Sequence, residues 1–406
     1  RLASMGRSAA AAVGEGAVTN EILRGYLMTL GAPGDEVSPA ARLAEFQAGL
    51  DLLANNPSDP AAQNDLLARA QGLTHTINTA AEALNASREA ASLAYGDSVR
   101  EVNAALSDIA ELNERLRMVG ANDGDAVNGL LDEMNRRLDT LGTQMDFTTR
   151  KETDGTISLF TTGGTELVSG EHAVTLSADT MTGALTADGK NITPGSPTAR
   201  GSDSGRLAGL SQLIATDLPR MKLQLDELAR GLVQSFEAAD ASLGLGDAGL
   251  FTDAGNPFDP LQLDGLAGRL AVNDSVDPER GGALWRLRAG AAAATPGEPS
   301  ATGQINAFID TMETGFSFDP ATNLTGNSLI GDFAANMVGH QNTLRVEADA
   351  RAETARIRLV TFEDNRSGVE GVNVDTELQK LMEIEQSYGA NSQVLTSLTE
   401  MIDTLL

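Results

Sequence analysis

The 406-residue sequence contains no cysteine, which removes disulfides, thiolate zinc sites and thiol catalysis together. Its three histidines, His75, His172 and His340, stand far apart with no ligand spacing around them. Aromatic residues make up only 4% of the chain, and alanine and leucine dominate the apolar set, a composition suited to helix packing on helix. Cations are scarce: Lys and Arg number 29 against 57 Asp and Glu, for a formal net charge of −28. Such a surface repels a polyphosphate, so no nucleic-acid partner is expected, and it suits a secreted or abundant protein that must stay soluble. No apolar run approaches the ~20 residues that span a bilayer, so no membrane insertion is expected. Arg1 to Ala12 lacks the apolar core of a signal peptide. The chain opens on Arg1 without a methionine, and we expect a trimmed or misplaced start.

What is present is mostly helical periodicity. Residues 1–60 are alanine-rich and weakly periodic. Leu23, Tyr26, Leu27 and Leu30 predict a helix stopped at Gly31-Ala32-Pro33-Gly34, and a second covers Ala40 to Leu53. From Pro60 to Met118 the signal is longest. Leu66, Ala70, Leu73, Ile77, Ala80 and Leu84 lead into Tyr95, Val99, Val102, Leu106, Ile109, Leu112 and Leu116, with Gly96 as the weak point. So long a run favours a coiled-coil-like rod. After the turn Gly120 to Asp125, a helix with Val127, Leu131, Met134, Leu138 and Leu141 on one face should fold back antiparallel. At Thr143 the period changes to two, and Asp154-Gly155 followed by alternation predicts a hairpin. Helix returns at Gly205, with Leu218, Met221, Leu225, Leu228, Leu232 and Phe236 on one face. Residues 242–326 are irregular, with short elements near Leu263–Val272 and Ile305–Met312. A long helix then runs from Asn327 to about Asn365–Gly368.

The expected fold class is mainly α with a β-rich middle (α+β): long helices from both chain ends in an elongated bundle and a strand-bearing insert between them. The expected division is 1–145 for the amino-terminal half of the bundle and 146–205 for a hairpin-rich segment. Residues 206–326 would hold a helix and an irregular outer region, and 327–406 the carboxyl-terminal half.

Sites for chemistry are sparse. Gly244-Leu-Gly246-Asp-Ala-Gly249 has dinucleotide-loop spacing but lacks the strand-before, helix-after context, so it reads as a loop. Asp247, Asp253, Asp259 and Asp264 lack calcium-loop spacing and read as solvated loop acids. Glu383 and Glu385, two apart on a helix, point to different faces. Trp285 reads as a core anchor. We therefore expect no catalytic residues, cofactor or metal, and no enzyme.

The stretch around which the rest is organised is Gly371 to Leu406. Val374, Leu378, Leu381, Tyr388, Leu395, Leu398, Ile402 and Leu405 recur at gaps of three, four or seven, one stripe along a helix ~50 Å long. Asn373 or Asp375 suits its cap. These eight residues are either assembly contacts or intramolecular bundle core.

Several stretches resemble a known family. They are Gly371-Val-Asn-Val-Asp375 with Glu377, Glu385-Gln-Ser-Tyr388-Gly-Ala-Asn-Ser392 and Thr399-Glu-Met-Ile-Asp-Thr-Leu-Leu406. Leu53 to Ala62, Thr153 to Leu159 with Gly163-Gly164 and Leu167 to Gly170, and Gly205 to Leu210 with Leu225 to Ala229 follow the same family order. They are similar to flagellar axial proteins, above all to the hook-associated protein 1 family of hook–filament junction proteins. The resemblance implies a non-enzymatic flagellar subunit exported from the cytoplasm by the type III apparatus and placed outside the cell. Its partners would be hook subunits, the other junction protein, further copies of itself in a ring, and an export chaperone on the terminal helix. The family's amino-terminal helix, with its Asn-Asn-x-Ala-Asn and Pro-Gly-Tyr stretch, is absent here, so tube packing is expected to rest on one helix. A flagellin or the second junction protein is the alternative in the same class. A secreted adhesin, effector or hydrolase with a helical stalk is the alternative outside it.

Overall fold

The computed structural model describes residues 2–119, 124–370 and 374–403, with side chains of 369–370, 374–377 and 402–403 excepted. Helix α1 (Leu2–Leu30) leads into α2 (Pro39–Asn55), α3 (Pro60–Val119) and α4 (Gly124–Gln144). Starts follow local chemistry. Ser38 accepts from the Ala41 amide at 3.2 Å ahead of Pro39, and Asp59 accepts from the Ala61 amide at 2.9 Å ahead of Pro60. The turn expected at Gly120–Asp125 lies largely outside the described residues.

Helix α3, about 90 Å long, is the spine. Every apolar stripe residue from Leu66 to Leu116 named above is buried, and the helix passes through Gly96 without a break. Different elements cover the stripe in succession: α2 near its start, then α1, and α4 towards its end. Helix α4 runs back antiparallel, as the ion pair Arg137–Asp108 and the Gln144–Glu101 hydrogen bond at 2.7 Å require.

The strands lie against the same spine. One antiparallel meander has the order β1 (Phe147–Lys151), β2 (Ile157–Thr161), β3 (Glu166–Ser169) and β4 (His172–Ala173); a second comprises β5 (Leu176–Ala178), β6 (Leu185–Ala187) and β7 (Lys190–Asn191). The β1–β2 turn uses Gly155 at φ +87°, a left-handed conformation that favours glycine, and Asp154 accepts from the Thr156 amide. Two asparagines on α3 clip the two sheets to the spine. Asn113 donates to the Ile157 and Gly170 carbonyls and accepts from the Ile157 amide, all at 2.9 Å. Asn103 does the same to both backbone groups of Leu176. The hydrophobic pattern carried no sign of these clips, because a polar residue beside a buried stripe looks like any solvated position.

Helix α5 (Arg206–Gln212) widens into a π-turn at Leu213–Asp217 before α6 (Leu218–Ala239). Pro219 has no amide hydrogen for the preceding turn, which accounts for the altered pitch. All six of the residues expected on this helix face are buried. Beyond it come β8 (Phe251–Asp253) and β9 (Leu270–Val272), then α7 (Arg286–Ala289) and α8 (Gly303–Met312). A small ribbon of β10 (Phe316–Ser317) with β11 (Asn327–Ser328) completes the middle. The region without periodicity is thus anchored rather than peripheral. Phe251 and Phe308 join Phe46 of α2 and Phe236 of α6 in one aromatic cluster, with ring centroids 5.0–5.6 Å apart.

Three local expectations change. Trp285 is only half-buried, stacked under the Arg286 guanidinium at 5.4 Å, while Leu287 fills the core. A four-residue helix has too little length to turn both side chains inward. The four loop aspartates are not simply solvated. Asp253 holds Arg269 through two hydrogen bonds of 2.7 and 2.9 Å, and Asp264 pairs with Lys222. Asp259 caps a 3-10 turn, and Asp247 accepts from the Gly244 amide. Helix α9 (Ile330–Glu370) runs through Gly368, since one helical glycine costs only about 1 kcal/mol. Helix α10 (Val374–Asp403) closes the described chain.

Candidate functional site

The site is built from α1, α9 and α10. Helix α9 begins in the core, where Ile330, Phe333, Ala334, Met337 and Val338 are buried. Past Gln341 it rises along α1 in the antiparallel direction. Tyr26 donates to Gln341, Asn20 donates to Asp349, the Asn342 amide reaches the Gly31 carbonyl at 3.0 Å, and Gly6 faces Phe362. Small residues set the separation: a Cβ on Gly16 would lie 2.6 Å from the Ala352 Cβ. Glycines also set the approach on other sides of α1. A Cβ on Gly14 would meet the Thr143 carbonyl at 2.3 Å, and one on Gly209 of α5 would meet the Glu15 carbonyl at 2.9 Å. The alanine-rich composition of residues 1–30, which gave so weak a period, is what lets α1 sit among close neighbours.

Electrostatics at this junction follow from burial. The Glu15 carboxyl is pushed above its ordinary value by desolvation, opposed by Ser204 and Arg351. Asp217 is raised for the same reason, and the buried Tyr26 phenol is raised strongly. Arg7 ties α1 to α4 through Asp139 at 2.8 Å, and Arg206 ties α5 to Glu21 at 2.9 Å. Gln341 relays Tyr26 to Gln224 at 2.7 Å, and Gln224 donates to the Thr322 carbonyl. These contacts tie α1, α4, α5, α6 and α9 together. Among the described residues no group of three His, Cys, Asp or Glu side chains is placed to hold a metal ion, and no helix is long and apolar enough to cross a membrane.

Helix α10 is different. Every described side chain from Leu378 to Met401 is exposed. Of the predicted stripe, Leu378, Leu381, Tyr388, Leu395 and Leu398 range from 47% exposed at Leu398 to 76% at Tyr388. None of these five belongs to the intramolecular core. Val374, Asp375 and Ile402 lie on the helix with side chains outside the described residues, and Asn373 and Leu405 lie outside them altogether. Glu383 and Glu385 are exposed on α10. Met382, Ile384, Val394 and Met401 are exposed apolar residues beyond the predicted stripe. The two ends of the chain pack together through α1 and α9, while no described side chain from Leu378 to Met401 of the terminal helix is buried.

The model of the flagellar hook-associated protein FlgK helical domain matches residues 30–258, and that of the flagellar basal body rod FlgEFG protein C-terminal region matches residues 369–406. Flagellar hook-associated protein 1 of Salmonella typhimurium is 24% identical over 450 residues, covering 91% of this chain and 81% of that protein. Its Bacillus subtilis counterpart is 23% identical over 407 residues, covering 90% and 75% respectively. The solved structure of the flagellar hook junction protein FlgK from Burkholderia pseudomallei aligns at a TM-score of 0.48 and 22% identity, over 63% of this chain and 45% of that one. With the helical-domain model covering more than half of its length, the chain belongs to the flagellar hook-associated protein FlgK family.

Proposed function

We propose that the chain is a structural, non-enzymatic subunit of the junction between flagellar hook and filament, and that it assembles through α10. The observation that carries this reading is the uncovered apolar surface of α10, whereas α1, α3, α4 and α6 each bury an apolar face within the chain. Val374, Leu378, Leu381, Tyr388, Leu395, Leu398, Ile402 and Leu405 are its assembly contacts. They bind hook subunits, the other junction protein and neighbouring copies in a ring outside the cell. Before that, in the cytoplasm, a chaperone covers the same surface and delivers the chain to the type III export apparatus, since an exposed stripe of this length invites aggregation. Burying a leucine stabilises an interface by roughly 1.5–3 kcal/mol, so two charged replacements on the stripe remove most of the attraction.

The test is the full-length variant Leu381→Asp/Leu395→Asp. Both positions are exposed in the monomer, so the helical circular dichroism and melting temperature should stay those of the parent. Incorporation at the hook tip and chaperone co-purification should both be lost. Normal incorporation of a folded double variant would refute the reading. Purified protein should also fail to grow filaments alone, and unassisted growth would favour a flagellin.

A further inference from the structure

Helix α9 carries two seams on opposite sides. Gln341, Ala348, Ala355 and their half-buried neighbours face α1. On the other side Val346, Ala350, Glu353, Ile357 and Val360 follow one another at gaps of four, three, four and three, and all are exposed. Alternating gaps of three and four are the pattern of a helix meant to receive another helix along its length. The apolar residues of α9 therefore fall on both sides, which is why the sequence showed one long helix and not a second face.

We propose that this outward seam of α9 is the seat for α10 of a second copy of the chain, lying antiparallel. The inference rests on the assembly role given to α10 above and adds the surface that receives it. Three observations select this occupant. The chain's own α10 leaves both surfaces bare. With Ile357 set opposite Tyr388, the antiparallel alignment brings Ala350 level with Leu395 and Val346 level with Thr399, one residue past Leu398. The one polar break in the α9 seam, Glu353, then meets Ser392. A parallel alignment about the same pair sets Glu353 against Ile384 and Val346 against Glu377, a carboxylate against an apolar side chain at both places. Charge agrees as well. Residues 351–358 of α9 hold Arg351, Arg356 and Arg358 against Glu353 alone, whereas Val374–Asp403 holds six carboxylates against Lys380. In the antiparallel alignment Arg356 and Arg358 fall within a turn of Glu385.

A seam of about 21 Å of helix is one helix–helix contact, smaller than the ~1,200–2,000 Å² of stable interfaces. The pair is transient in solution and persists only when repeated in an assembly, so it has to be trapped. The absence of cysteine makes that direct. Full-length Ile357→Cys and Tyr388→Cys chains, differently tagged, are mixed under mild oxidation. The mixed disulfide dimer should form about tenfold faster than in a mixture of Ile357→Cys with the neighbouring Gln386→Cys, the margin that pre-association gives over random collision. Equal rates in the two mixtures overturn the proposal. So does an internal disulfide in the Ile357→Cys/Tyr388→Cys double variant with no mixed dimer, which would mean that α10 folds back on its own chain. The readout is independent of the cellular test. Lost incorporation of stripe variants without trapping leaves the assembly role standing and removes this seat, and trapping with normal incorporation does the reverse.

Discussion

Two glycines of α1 give a matched pair of perturbations. Gly16 and Gly25 lie on one helix with helical backbone, so replacing either by alanine gains about 1 kcal/mol of helix propensity. Their surroundings differ. A Cβ on Gly25 meets nothing within 4 Å, whereas one on Gly16 lies 2.6 Å from the Ala352 Cβ and 2.7 Å from the Ala348 carbonyl oxygen. Neither obstacle is the end of a flexible side chain, so α9 itself has to move away. Overpacking of this kind costs about 1–3 kcal/mol. Gly25→Ala should therefore stabilise the protein by up to about 1 kcal/mol, and Gly16→Ala should leave it between neutral and about 2 kcal/mol less stable. Because propensity cancels between the two, the gap isolates the close approach of α1 and α9. Urea denaturation followed by circular dichroism measures that gap. Limited trypsin digestion at Arg356 and Arg358 should also speed up in Gly16→Ala, because this stretch of α9 packs on α1. A Gly16→Ala protein as stable as Gly25→Ala, with unchanged digestion, would mean that the helices do not meet there.

Removing the Tyr26 hydroxyl should leave the fully buried Gln341 carbonyl oxygen without its donor. Tyr26→Phe is accordingly expected to lose about 1–3 kcal/mol in the same denaturation, and an unchanged midpoint would argue against the relay to Gln224. The pH response follows from Glu15 and Asp226, both raised by burial. A raised carboxyl binds its proton more readily folded than unfolded, so its contribution to stability is complete below the ordinary carboxylate range and is lost as pH rises through the raised value. Asp154, Asp179 and Asp264, which are lowered by their hydrogen bonds, act in the opposite sense at more acid pH. Melting temperature should fall as pH rises above the ordinary carboxylate range, less steeply in Glu15→Gln; an identical slope in that variant would remove Glu15 from the account.

Local order was legible in the residues themselves. The stripes of α3 and α6, the Asp154-Gly155 turn and the period of α10 depend on which side chains recur at three, four or two positions, and recurrence is a property of the chain. The stretch 245–325 showed no period, because its core contacts come from single residues such as Phe251 and Phe308, each contributed by a short element. Asn103 and Asn113 gave no signal for a related reason: a hydrogen bond to a distant strand leaves no pattern near the donor.

The sequence by itself determined that α10 is a helix with one apolar stripe, since spacing alone decides which side chains share a face. Only the tertiary structure decided that this stripe is bare, that α1 pairs with α9, and that α9 has a second seam left uncovered. Whether an apolar face is core or surface depends on what the remainder of the chain brings to it, and the glycine-lined approach of α1 gives that place to α9.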